Sequence, residues 1–273
     1  MEGLWSVAMI GGAAVLVALP LAIVREGSAA LLGRDVRPIG LALGLSGTLY
    51  FAGVLFSDVV RAVLLFYLLP VWTILAARLL HGEPIRAGHL LVIAAAFAGL
   101  WLLLGGGGGF PLPENVGDVC ALAAGMCWGV SLALLRARET TRPWASTAAA
   151  LLVMTVSATL VALALAWIPS LRPTAIPRLG AFADALPLAL GFGACVLFPA
   201  LFGQIWGARL VPAATASLLT MTEILMATLS ASWLGVTTLG PVAIAGGALI
   251  VGAALLDLVA GSRRDEPSRK WSG

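Results

Sequence analysis

Charge is the scarcest commodity in this chain. Asp, Glu, Lys and Arg make up 11% of its 273 residues, against about 25% in an ordinary soluble domain. That shortage excludes a disordered acidic or basic tail protein, and no basic patch suits a nucleic acid. The net charge of +3 therefore reads as membrane topology rather than as a partner signal. Only two histidines and three cysteines are present, and none stands at metal-ligand spacing, so no metal and no cofactor is expected. His81 and His89 read as interfacial residues near the ends of apolar runs. Cys120 and Cys127 lie about 10.5 Å apart along one helix, too far for a disulfide; with Cys195 they read as small packing residues. No nucleophile–base pair or catalytic dyad falls at helical spacing, so the chain is not expected to be an enzyme, and a membrane-embedded enzyme ranks third among the readings. The Gly105–Gly109 run is followed by no Lys-Ser/Thr, which excludes a phosphate loop and ATP-driven chemistry; it reads as a flexible linker.

What is abundant is apolar surface. Residues of the AVILMFWYC set make up 60% of the chain, and the mean hydropathy is +1.03. A bilayer core needs roughly 20 apolar residues per helix, and backbone groups there must be satisfied internally. Nine runs meet this need without period-2 alternation, which selects an all-α polytopic bundle over a barrel. They are 4–24, 38–56, 59–80, 87–105, 117–136, 144–167, 184–206, 212–234 and 237–260. The first lacks a basic leader and exceeds the apolar core of a signal peptide, so it is expected to stay in the protein.

Thirteen of the 16 Lys and Arg residues fall on one side of the membrane, among them Arg25, Arg78, Arg136, Arg209 and the tail residues Arg263 to Lys270. Only Arg61, Arg172 and Arg178 fall on the other. The excess marks the cytoplasmic face, so the C-terminus is expected inside and, with nine spans, Met1 outside. The basic tail is expected to touch anionic lipid.

An internal repeat appears at an offset of about 154. The third run, through Arg61, Pro70, Val71 and the Gly82-Glu83 turn, aligns with the eighth, through Thr215, Ala216, Ser217 and Glu223. The two hairpins lie on opposite sides of the membrane, the mark of an inverted repeat. With these residues in place, the chain resembles the drug/metabolite transporter superfamily, specifically its EamA-type ten-helix exporters. Pro70-Val71 with Gly82-Glu83 is similar to the family's fourth-helix signature, Ala216, Ser217, Leu218, Leu219 and Glu223 to its ninth, and Trp128 to the Trp that opens each half. Ile224 stands where the family often has Pro, and Val236 where a second Gly-Glu would place its acid. The resemblance implies ten helices; the four runs of the first half lack a counterpart of the fifth, so truncation, a misassigned start and a nine-helix derivative stay open. The expected organisation is a first repeat over residues 1–105, a Gly/Pro-rich extracytoplasmic linker over 106–116, a second repeat over 117–260 and a basic cytoplasmic tail over 261–273.

Secondary-transporter sites lie near the bilayer midplane between repeats, where a charge usually marks function. Glu223, at the midpoint of the eighth run, is read as the one deep charge, with Thr220, Ala216, Ala227 and Ser230 on its face. It is expected to bind a substrate ammonium or to exchange a proton; the competing reading is a structural carboxyl. Pro70 is expected to kink the third run and to free the carbonyl of Phe66 for a polar contact, or to be a passive kink. Tyr67, Trp72 and Trp128 lie deep and suit flat or cationic molecules, or simply fill space. Ser131 and Gln204 complete the candidate substrate-binding set. Gly40, Gly44 and Gly47 make one smooth helix face, and Ala248-x-x-x-Gly252 another.

The reading is a secondary transporter in the bacterial inner membrane. The resemblance implies export of amino acids, related metabolites or drugs by alternating access, with proton linkage an option. With no deep Lys or Arg, a cationic or zwitterionic solute is favoured over an anion. The alternative is a non-transporting membrane subunit that kept the fold. Expected partners are the small-molecule substrate and the lipid bilayer, with a homo-oligomer, or a helix or subunit supplied in trans, also open.

Overall fold

Without water to bond peptide groups, each apolar run has to close its backbone hydrogen bonds on itself, and each does so as helix. The computed structural model describes residues 3–82, 87–104, 112–137, 142–168, 177–235 and 240–262. The linker glycines, Glu83, Val236 and the tail beyond Ser262 lie outside the described residues. In chain order the helices are α1 Leu4–Glu26, α2 Val36–Phe56, α3 Val59–Phe66, α4 Leu69–His81, α5 Ala87–Leu103 and α6 Val116–Ala137. They continue as α7 Pro143–Ala166, α8 Leu179–Phe192, α9 Phe198–Ala208, α10 Ala213–Met221, α11 Glu223–Trp233 and α12 Pro241–Ser262. Counting across short interruptions, seven are long and apolar enough to cross a membrane, and Gly88–Leu103 and Pro241–Asp257 are shorter apolar helices. The chain is an all-helical polytopic membrane protein.

Three of the nine expected runs are interrupted, each for a local reason. The third is two helices, α3 and α4, joined at Tyr67 and Leu68, so Pro70 begins a helix rather than kinking one. At that position its missing N–H is not needed. The amides of Tyr67 and Leu68 bond back to the carbonyls of Val63 and Leu65, at 2.9 and 3.4 Å. The eighth run breaks at Thr222 without a proline: the Thr222 amide and hydroxyl both bond the Leu219 carbonyl, at 3.0 and 2.7 Å, in competition with helix continuation. The seventh carries a π turn over Gly193–Leu197 just before Pro199, whose ring nitrogen cannot donate to the preceding turn.

Small residues decide the packing. α2 lies on α7 through Gly40, Gly44 and Gly47; a methyl group on Gly44 would come within 2.6 Å of the Ala150 carbonyl oxygen. α5 and α12 meet through Gly99 and Gly246, each facing the other's carbonyl. Gly252, by contrast, has nothing within 4 Å, so the expected Ala248–Gly252 face is not the contact surface of α12. α1 packs on α7, α4 on α10 and α5 on α12. At the arginine-bearing end, the Glu26 carboxylate accepts from the first amides of α7, Trp144 (3.3 Å) and Ala145 (2.9 Å), and Arg25 lies 5.6 Å from the Trp144 ring centre. The ends of α1 and α6 and the start of α7 thus share a side with Arg209, whose carbonyl accepts from Arg136 at 3.4 Å.

Helix α6 is the odd member. It fills a seat between α2 and the α3–α4 pair by glycine contact: Gly117 on Phe56, Gly125 on the Phe66 carbonyl, Gly129 on Leu69 and Thr73, and Ala121 on Gly53. In the second half, Gly203 and Gly207 of α9 face nothing within 4 Å, and α11 has a single buried residue among its described side chains, Leu225.

Candidate functional site

A cavity of about 590 Å³ lies beside this open flank. Its walls are Gln204 and Gly207 of α9, Ala216 and Thr220 of α10, Glu223 at the head of α11 and Leu132 of α6, and it runs to Leu210 and Val211 at the arginine-bearing end. The break at Thr222 is what aims Glu223: the first residue of a new helix, it places a carboxylate where the helix dipole is positive. The Glu223 side chain is exposed to this space, and it makes no hydrogen bond or ion pair with any described residue. No Lys or Arg is among the described residues that line the cavity. Gln204 donates from Nε2 to the Thr220 hydroxyl at 3.2 Å, and Thr220 donates in turn to the Ala216 carbonyl at 3.0 Å.

The expected aromatic residues Tyr67, Trp72 and Trp128 are not among the cavity's lining residues. Tyr50, Tyr67 and Trp128 instead surround Phe66, with ring centres 4.7, 5.2 and 5.9 Å away. Tyr50 was not singled out in the sequence, although the repeat offers a signal: 50 + 154 = 204 pairs it with Gln204.

The remaining expected residues are placed differently. The Ser131 hydroxyl is buried and donates to the Trp128 carbonyl of its own helix at 2.6 Å, away from the cavity. The indole N–H groups of Trp72 and Trp128 are buried without a partner among the described residues. The Phe66 carbonyl freed by Pro70 is covered by Gly125 of α6 and is not offered to a solute. Ala227 and Ser230 lie on α11 with Glu223 but are exposed away from the cavity lining; the break at Thr222 falls between Glu223 and the Thr220 and Ala216 that do share the cavity.

Glu223 is also not the only acid set within the helices. Asp118, near the start of α6, is fully buried, and Asp257 of α12 is 4% exposed. His89, expected to be merely interfacial, points Nε2 at Asp257 from 3.7 Å. No group of three or more potential metal ligands exists among the described residues.

The fold is thus a polytopic membrane bundle with a cavity between interrupted helices. Residues 2–105 match the EamA-like transporter family. Among solved structures, 26 chains match; one crystal structure, 23% identical, superimposes with a TM-score of 0.72 over 97% of this chain and 90% of its own. That likeness speaks for the fold. No curated protein matches. The family match thus covers the first part of the chain, and the structural likeness extends over nearly all of it.

Proposed function

We propose that the chain is a secondary transporter for small organic metabolites bearing a positive charge, cations or zwitterions, which it exports by alternating access around the Glu223 cavity. The observation that carries this is the unpartnered Glu223 carboxylate facing about 590 Å³ of space with no basic residue in its lining. A carboxylate held in an apolar setting gains most from a cationic partner. Gln204 and Thr220 supply the polar contacts that orient a solute. A carboxylate so placed also suits proton exchange, which would couple export to a proton gradient in a bacterial inner membrane.

The test is flux of labelled amino acids and organic cations from proteoliposomes under an imposed proton gradient. Glu223→Gln is expected to abolish flux or its coupling. Flux in the variant that keeps its gradient dependence removes Glu223 from the mechanism.

A second reading has its own observation. The open flank at Gly203 and Gly207, with α11 largely uncovered, fits a non-transporting subunit whose exposed side meets a helix of another chain. The purified chain would then carry no flux alone and gain it, or an assembled function, only with its partner.

A further inference from the structure

We propose that two buried carboxylates, Asp118 and Asp257, are matching clasps that together lock the protein with its cavity open toward the arginine-bearing end and shut at the other. The inference rests on the alternating-access reading above. Arg61 lies in the first turn of α3 and Thr215 in the first turn of α10; the repeat makes them equivalent, since 61 + 154 = 215. Each of these two residues grips a carboxylate buried in a neighbouring helix, at opposite ends of the bundle.

At the far end, Asp118 accepts from the Ser57 hydroxyl, from the Glu114 amide at 2.9 Å and from the Arg61 guanidinium at 3.4 Å. Arg61 also pairs with Glu114, and Asn115 donates to Ser57 at 3.3 Å. This network ties the start of α3 and the end of α2 to the start of α6, and closes the bundle there. At the arginine-bearing end, Thr215 donates to Asp257 at 2.6 Å, and His89 approaches the other carboxylate oxygen. This second clasp draws the start of α10 onto α12 and α5. The cavity borders α10 at Ala216 and Thr220, against α9, and reaches Leu210 and Val211. Holding α10 back on α12 therefore keeps the mouth beside α9 open.

A buried carboxylate stripped of its donor is costly, so both contacts favour the same state over any state in which α3 or α10 has swung away. Each ties a half-helix that ends at a break, Tyr67–Leu68 or Thr222, beside the cavity. Motion at either clasp is thus delivered to Tyr67 or to Glu223.

The experiment uses a single reporter, Ala200→Cys in the cavity wall, in a chain whose three native cysteines are replaced by alanine. The protein is reconstituted in liposomes and labelled with a charged, membrane-impermeant thiosulfonate from either side. Asp118→Asn, Asp257→Asn and Thr215→Val are each expected to raise labelling from the far side about tenfold and to lower it from the arginine-bearing side. Thr215→Ser, which keeps the hydroxyl, is expected to match the parent. Should Asp118→Asn fail to fold, Ser57→Ala with Arg61→Gln reads the same clasp. Unchanged labelling, equal rises on both sides, or Thr215→Ser behaving like Thr215→Val overturns the proposal. Labelling needs no solute: clasp-dependent labelling without flux sinks the transporter reading alone, and flux with clasp-independent labelling sinks the clasps alone.

Discussion

The two halves of this bundle carry related helices yet are finished differently. In the first, α6 is pressed by Gly117, Gly125 and Gly129 into the seat between α2 and the α3–α4 pair. In the second, the equivalent seat between α9 and the α10–α11 pair is empty: Gly53, which touches Ala121, is the repeat partner of Gly207 (53 + 154 = 207), which touches nothing. The difference teaches what the small residues are for. In a lipid environment helix association depends on close packing rather than on water exclusion, so a glycine is structural where a backbone lies across from it and spare where none does. It also explains why the acid sits in the second half. An occupied seat leaves no room for a solute, and the cavity lies where the seat is open.

The sharpest way to break that comparison is to add volume on both sides. Gly125→Leu should prevent assembly, since even a methyl group there meets the Phe66 carbonyl. The milder pair is more telling. Gly53→Ala should destabilise by about 1–3 kcal/mol through overpacking, whereas Gly207→Ala should be neutral or stabilise by up to about 1 kcal/mol through helix propensity. Chemical denaturation in mixed micelles reads both. Equal costs would mean the two seats are not equivalent.

Next in size, Glu223→Gln should cut solute flux at least tenfold, roughly the loss of one charged contact, with no loss of thermal midpoint, because the carboxylate has no partner among the described residues. A drop in midpoint matching the loss of flux would return Glu223 to a structural role. Thr220→Val removes the acceptor of the Gln204 amide and should weaken apparent solute affinity by a few-fold, about 0.5–1.5 kcal/mol, in competition binding. The smallest effect is expected at Ser230, on the same helix as Glu223 but exposed outside the cavity lining. Ser230→Ala should leave flux unaltered and stability within about 0.5 kcal/mol; a clear flux defect would mean the solute path extends along α11 beyond the cavity.

Much of the fold could be read from residue order, because the bilayer permits few answers: an unbroken apolar run without alternation is a helix, and all nine runs are. The glycine face of α2 was legible because a three-and-four spacing survives as a face on any straight helix. The face that failed, Ala248–Gly252, depends on which side a neighbour takes. The break at Thr222, where a threonine hydroxyl and not a proline caps a carbonyl, left no mark in the sequence pattern, and Ala227 and Ser230 share α11 with Glu223 without lining the cavity. Of the expected site residues, Glu223, Thr220 and Gln204 share the cavity wall, whereas Tyr67 and Trp128 pack on Phe66 outside its lining. Ser131 is turned to its own backbone. Asp257 was passed over because it lies near a helix end in sequence, though its neighbours α5 and α10 bury it.

Composition and spacing were thus enough to read this chain as one that lives in lipid, as helices, since solvation and periodicity are properties of the chain taken locally. Which glycines bear a neighbour, where Pro70 and Thr222 actually interrupt the helices, and that three buried or cavity-facing carboxylates meet such different company were decided only on packing. Those outcomes depend on the distance between backbones far apart in sequence, and no local pattern encodes it.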